Sequence, residues 1–304
     1  MIEFGITEEE SSLRIDKYLK YELPQLSRTY LQKLLDSGDI LVSGKTVKQS
    51  YLIAEGDIIT VNIPESEELN FTPEDIPLDI LYEDDHIIVV NKPKQMVVHP
   101  APGHYSGTLV NALLFHCRAN LSGINGYLRP GIVHRIDMDT TGSLVVCKTD
   151  LAHKKLSAQL KAHSIKRVYE AIAIGRIKES GEITFPIGRD NKNRKKMSIR
   201  SKNPRNAYTK FKVISQSDKY TYLSLELMTG RTHQIRVHLS AIGHPILGDV
   251  TYGPAKSPVS GLIGQCLHAK ILGFEHPVTG EYMEFSAPTP SYFEDLLMKL
   301  DLKT

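Results

Sequence analysis

Between Glu65 and Asp85 the chain carries about nine acidic residues and neither lysine nor arginine. A stretch with that charge density and the composition PESEELNFTPEDIP (64–77) has too little apolar surface to enter a core, so it divides the sequence into parts that must fold separately. A chain of 304 residues is long enough for two such parts. The net charge of +2 hides the contrast between them. From His86 to Thr304, lysines and arginines exceed acids by about fourteen, and a surplus of that size on one domain favours a polyanionic partner. The opening MIEFGITEEE is acidic and lacks the apolar centre of a signal peptide. No apolar run reaches the roughly 18–20 residues of a bilayer span, so no membrane partner is expected. Cys117, Cys147 and Cys266 are odd in number and far apart, which suits three core thiols in a reducing cytoplasm.

The first part reads as a domain over residues 12–63, followed by an acidic linker over 64–77. Leu13, Ile15, Leu19 and Leu23 fall near helical spacing. Ser27 is placed to cap a second helix that runs through Leu35 and stops at Gly38. ILVSGKTV reads as a hairpin around Ser43-Gly44, and GDIITV as a closing strand. This order, with its R-x-D-x-x-L start, SR-x-x-x-x-x-L-x-x-G middle and I-x-V-x-G-K turn, resembles the ribosomal-protein-type RNA-binding module, a small α/β domain of the alpha-L type. The resemblance makes Arg14, Lys17, Arg28, Lys33 and Lys45 its candidate RNA contacts.

In the second part, residues 78–304, GIVHRIDMDTTGSLVVCKT (131–149) places His134, Arg135, Asp137 and Asp139 between two apolar runs, Gly131–Val133 and Leu144–Cys147, that read as buried strands. Three chemistries use such acids. Phosphatases of the haloacid dehalogenase class carry D-x-D-x-T after an unbroken apolar strand, but His134-Arg135 interrupts this one, and GDVTYG (248–253) lacks the further acid of their magnesium site. Aspartic proteases need two D-T-G sites, and one imperfect copy is present. The third chemistry is a single nucleophilic or basic aspartate among arginines, where a carboxylate stays ionised.

Three more elements bear on that choice. ELMTGRTHQIRVHLSAIGHPILGDVTYG (226–253) predicts a helix from Arg231 to Ile242 ended by Gly243, with Arg231 at its anion-attracting start. The spacing of His233, His238 and His244 does not suit a metal, and no metal or organic cofactor is expected. KRVYEAIAIG (166–175) alternates, so Tyr169 shares a strand face with Ala171 and Ala173 and offers a platform for a flat base. GRDNKNRKKMSIRSKNPR (188–205) is a basic loop in which Arg189, Lys192, Arg194, Lys195 and Lys196 are candidate phosphate contacts.

Taken together these motifs resemble the RluA/RluD family of RNA pseudouridine synthases over nearly the whole chain. VVNKPKQMVVHPAPGHYSGTLVNALL (89–114), the H-R-I-D-x-x-T-T-G segment, the T-G-R-T-H-Q-I-R segment and LHAKILGFEHPVTGEYMEFSAP (267–288) follow the family's order. The departures, Ile136 for leucine and Ser143 for an apolar residue, remove no reacting group. The resemblance implies an isomerase that detaches uracil at N1, turns it and rejoins it through C5, acting on ribosomal RNA of the large subunit or a precursor particle. It makes Asp137 the catalytic carboxylate and Tyr169 the base-stacking ring. Arg236 becomes the partner of the carboxylate, Arg135 the residue beside the extruded nucleotide, and Arg231 and His134 supporting groups; His233, Lys92 and Leu239 are placed near the site. Whether Asp137 attacks C1′ or removes a ribose proton stays open. The implied fold is α+β, a mainly antiparallel or mixed sheet with flanking helices and a central cleft. Strands are expected near 80–82, 86–91, 143–148, 166–175, 209–214, 221–227 and 267–274, and a helix over 150–163 capped by Asp150. A non-catalytic RNA-binding or ribosome-assembly factor and a magnesium-dependent phosphatase are the competing readings.

Overall fold

The computed structural model describes residues 2–24, 26, 28–63, 72–100, 104–118, 120–124 and 129–303, with only the backbone of Thr29 and Lys33. Ser27, read as a helix cap, and the Lys33 side chain, read as an RNA contact, lie outside the described residues. The chain divides into two compact units, residues 1–70 and 71–304.

In the first unit β1 (Ile2–Gly5) is followed by helices α1 (Ile15–Glu22) and α2 (Arg28–Ser37) and strands β2 (Ile40–Val42) and β3 (Ile58–Val61). β3 lies between β1 and β2, antiparallel to both. Ser43 and Gly44 both take positive φ, 47° and 76°, and turn the chain tightly from Val42 to Lys45. No returning strand follows that turn; β2 finds its partner in β3. Ile15, Leu19, Leu31, Leu35, Ile40 and Ile59 close the core.

Beneath this core Asp16 has a fully buried carboxylate. It accepts from Arg14 Nε at 3.0 Å and from Arg28 Nη2 at 2.7 Å. Burial alone would raise its pKa, but the hydrogen bonds and charges of Arg14 and Arg28 outweigh that and hold it down at about 2. Two of the candidate RNA contacts therefore also hold a structural carboxylate, whereas Lys17 and Lys45 are exposed. A depressed carboxylate contributes stability that is present above its unfolded pKa of about 3.9 and is lost as pH falls toward 2. Asp16→Asn is accordingly expected to destabilise this unit at pH 7, with the deficit against the wild type shrinking between about pH 4 and pH 2; calorimetric melts across that range check it.

The second unit runs β4 (Ile80–Glu83), β5 (Ile87–Lys92), α3 (Leu109–His116), β6 (Thr141–Cys147), α4 (Asp150–Ala162), β7 (Lys166–Ile174), β8 (Gly181–Ile183), β9 (Gly188–Arg189), β10 (Met197–Ser198), β11 (Thr209–Gln216), β12 (Tyr220–Leu227), α5 (Gln234–Ala241), β13 (Leu267–Glu275), β14 (Tyr282–Ser286) and α6 (Ser291–Lys299). Residues 72–77 belong with it: Glu74 N donates to Asn111 O, its carboxylate accepts from Gly107 N, and Ile76 packs on the main core.

One mixed sheet has the order β4-β5-β6-β13-β7-β12-β11-β8, with β14 added beside β13. The pairs are antiparallel apart from β6 with β13. Ile87–Val90 of β5 and Leu144–Cys147 of β6 are unbroken apolar runs because both their faces are covered. Ile88, Val90, Leu144 and Val146 face the main core, while Ile87, Val89 and Val145 face Ala152 and Leu156 of α4. The parallel crossing of β6 and β13 is close: a Cβ on Gly142, whose φ is +109°, would stand 2.3 Å from Ala269 O. Only glycine fits there, which accounts for the glycine that ends the T-T-G segment.

Three local expectations need correction. Gly131–Val133 is not a strand. Ile132 makes a single bridge to Val146, after which the His134 ring takes the Val145 N–H in place of a backbone carbonyl and the chain leaves the sheet. The cap of α4 is Thr149, whose hydroxyl accepts from Ala152 N; Asp150 is the first helical residue and accepts from the Ser122 hydroxyl. The helix expected from Arg231 begins only at Gln234, because His233 is left-handed and the Arg231 N–H is taken by the Gln234 side chain. Arg231 is therefore not at a helix start. Cys117, Cys147 and Cys266 are buried free thiols.

Candidate active site

The segment from His134 to Thr140 is pinned at both ends. His134 is half-buried, and its Nε2 accepts from Val145 N at 3.1 Å. Burial, aided by the Arg167 charge, pushes its pKa down to about 3, so it is a neutral anchor. From β5, the fully buried Lys92 donates to the carbonyls of Pro93, Met96 and Met138 at 2.7–2.9 Å, which fixes the turn directly after Asp137. Burial pushes the Lys92 amine down to about 7, against the charges of Asp139 and Asp137. The turn closes with Thr140 N donating to Asp137 O at 3.0 Å.

Held in this way, the Asp137 carboxylate is 18% exposed and meets α5. Arg236 Nη1 donates to its Oδ2 at 2.8 Å, and His233 Nε2 stands 3.6 Å from its Oδ1. The other edge of the Arg236 guanidinium is taken by Asp249, with Nε to Oδ2 at 2.7 Å and Nη2 to Oδ1 at 2.9 Å. Asp249 is itself fully buried, and its Oδ1 also accepts from Thr251 N and Tyr252 N. The Tyr252 ring lies under the guanidinium at 5.1 Å. Burial would lower the Arg236 pKa, but the hydrogen bond and charge of Asp249 and the charge of Asp137 outweigh it and hold the group above the usual arginine value. Arg236 is thus a fixed cation with one edge committed to a structural acid and one nitrogen left for Asp137.

Two cavities meet at this ion pair, and Arg135, Asp137, His233 and Arg236 line both. The larger, about 520 Å³, is also walled by Tyr169, Arg167, Arg231 and His134. The smaller, about 360 Å³, is also walled by Asp139, Asp249, Gln265 and Thr251. Both sizes fall within the roughly 300–1,000 Å³ of small-molecule sites. Tyr169 stands in β7 between Leu225 of β12 and Ala269 of β13, and burial raises its pKa, so it presents a neutral ring. Arg135 is exposed and lines both cavities. Arg231 Nε donates to Asn206 O.

Of the residues picked out from sequence, Asp137, Tyr169, Arg236, Arg135, Arg231, His134 and His233 are brought together. Leu239 is core and lines neither cavity. The basic segment forms the β9–β10 hairpin: Arg189 Nη1 donates to Arg194 O, and Lys196 Nζ to Thr251 O beside the smaller cavity. Lys192, Arg194 and Lys195 are exposed on it. His238 is occupied by Thr209 and Phe185 O, and His244 by Ile174 O. Asp249, Tyr252 and Arg167 were not foreseen. A buried arginine with three bonded nitrogens requires more than one carboxylate, and the acid of GDVTYG in the same patch was the available signal.

A family model described as RNA pseudouridylate synthase matches residues 86–241, and one for the S4 domain matches residues 13–59. The chain belongs to the RNA pseudouridylate synthase family. A Bacillus subtilis relative named an uncharacterized RNA pseudouridine synthase, YlyB, is 49% identical over 98% of both chains. The ribosomal large subunit pseudouridine synthase D of Zymomonas mobilis is 45% identical over 97% of this chain and 96% of its own. Among solved structures, human RNA pseudouridylate synthase domain containing 1 aligns with a TM-score of 0.58 at 25% identity, covering 76% of this chain and 97% of that one. As a pseudouridine synthase with an S4 domain, the protein has the α+β architecture and two-part organisation its motifs imply. Among the described residues no helix is long and apolar enough to cross a membrane.

Proposed function

We propose that this pseudouridine synthase isomerises specific uridines in structured RNA, with large-subunit ribosomal RNA as its substrate class, and that Asp137 carries the chemistry. The observation that supports this best is the Asp137–Arg236 ion pair at the junction of two cavities, with Tyr169 in the wall of the larger. A stacked uridine has to leave its helix to reach that wall, at a cost of a few kcal/mol. Stacking on Tyr169 returns about 1–3 kcal/mol, and Arg135, exposed and lining both cavities, fills the gap left in the RNA.

Isomerisation breaks the N1–C1′ bond and forms C5–C1′; the C5 proton goes to water and N1 takes up a proton in exchange, so composition is unchanged. Asp137 serves it either by attacking C1′ or by taking a ribose proton. Arg236 positions the carboxylate and is kept from following the substrate by Asp249. The detached uracil has to stay while it turns, and a cavity walled by Tyr169 and Leu267 limits its escape. The ribosomal assignment draws on the Zymomonas mobilis relative named ribosomal large subunit pseudouridine synthase D, and the S4 domain, with exposed Lys17 and Lys45, supports an RNA grip outside the catalytic unit. The exposed cations of the β9–β10 hairpin supply phosphate contacts within it.

The test uses large-subunit ribosomal RNA transcribed with tritium at uracil C5. The protein is expected to release label to water in proportion to pseudouridine formed, with chelator present. RNA that is bound yet keeps its label would point to a binding factor; phosphate-ester hydrolysis that chelator stops would point to a phosphatase.

A further inference from the structure

Arg167 precedes Tyr169 by two residues in β7, so strand alternation sends both side chains to one face. That face walls the larger cavity, and both residues line it. Arg167 is 7% exposed, yet its buried Nε and Nη2 have no hydrogen-bond partner. The other cations that line the cavity, Arg135, Lys161, Arg231 and Arg236, add positive charge, and the one carboxylate among the described lining residues, Asp137, is engaged by Arg236. Burial pushes the Arg167 pKa below the usual arginine value. Space has been made for the group: a Cβ on Gly230 would stand 2.5 Å from Arg167 Nη1. A buried guanidinium without a carboxylate is costly, and its planar fork matches the two oxygens of a phosphate.

We propose that Arg167 is an anion site of the larger cavity that takes a phosphodiester of the RNA strand, one strand step from the ring on which that strand's uracil stacks. The inference rests on the reading of this cavity as the uridine site. It explains why an unpaired charge is kept where a packed apolar side chain would be more stable, since the missing partner arrives with the substrate.

Full-length wild type, Arg167→Met and Arg167→Lys are compared for affinity to a fluorescent oligouridylate between 50 and 200 mM salt, and for thermal melting. Arg167→Met is expected to melt higher than the wild type, to bind about ten-fold more weakly at low salt, and to lower the slope of log affinity against log salt by about one. Arg167→Lys should restore most of that slope. A lower melting temperature for Arg167→Met would assign Arg167 to the fold. An unchanged salt slope, with slower turnover at saturating RNA, would mean that the group acts on the detached base. Either result overturns the proposal. Tritium release by the wild type is scored separately, so a failure of the isomerase reading is distinct from a failure at Arg167.

Discussion

Asp137→Ala is expected to slow isomerisation by about 10⁴-fold or more, the scale on which an essential reacting group is lost, while the protein stays folded and holds RNA. The asymmetry follows from the geometry. Asp137 is the partly exposed end of the chain Asp137–Arg236–Asp249, and Arg236 keeps both bonds to the buried Asp249 when Asp137 is cut back. No buried charge is orphaned, so the stability change should stay within about 1 kcal/mol, or a few degrees in melting temperature. The turn itself is pinned by Lys92 to the Met138 carbonyl and by His134 to Val145 N, and neither bond involves the Asp137 side chain. Single-turnover tritium release and a thermal melt of the same preparation check both halves.

Asp249→Ala should show the reverse pattern in stability. Arg236 is 7% exposed, and without Asp249 its Nε and Nη2 lose their acceptors at a site water barely reaches. Breaking a buried pair from one side costs about 3–5 kcal/mol, and the turn at Thr251 and Tyr252 loses its acceptor as well. Activity should fall about 10²-fold at saturating RNA, because an unclamped guanidinium no longer fixes the carboxylate and misplacement by about 1 Å is enough for that loss. Asp249→Asn, which keeps one acceptor oxygen, should lie between. Removing Asp137 as well leaves Arg236 with no carboxylate, so the double variant should be less stable than the two single losses combined. Denaturant melts of the four proteins measure that coupling.

The large features were legible in sequence for physical reasons. The acidic stretch at 65–85, free of lysine and arginine, contains the break between the units, and the alternation of KRVYEAIAIG placed Tyr169 on a buried face, where it lies. Asp137 and Arg236 are about a hundred residues apart, and no periodicity joins them; the motifs implied the pair, and the two side chains stand 2.8 Å apart. What escaped was set by side chains substituting for backbone. Gly131–Val133 has strand composition, but the His134 ring takes the next ladder hydrogen bond. The T-G-R-T-H-Q segment has helix composition, but the Gln234 amide closes a turn before the helix can start. The role of Asp249 depends on a guanidinium arriving from another element. Arg167 was within reach of the same alternation that singled out Tyr169, two positions away. Its meaning depends on having no partner, and that only three dimensions can show.

The most direct test of the Asp137 assignment is a crystal structure of Asp137→Asn bound to uridine-containing substrate RNA. The account predicts one uridine turned out of its helix, with its ring against Tyr169 and its C1′ about 3–3.5 Å from the residue 137 side chain. A bound uridine whose sugar lies beyond reach of that side chain, with the larger cavity empty, would contradict it.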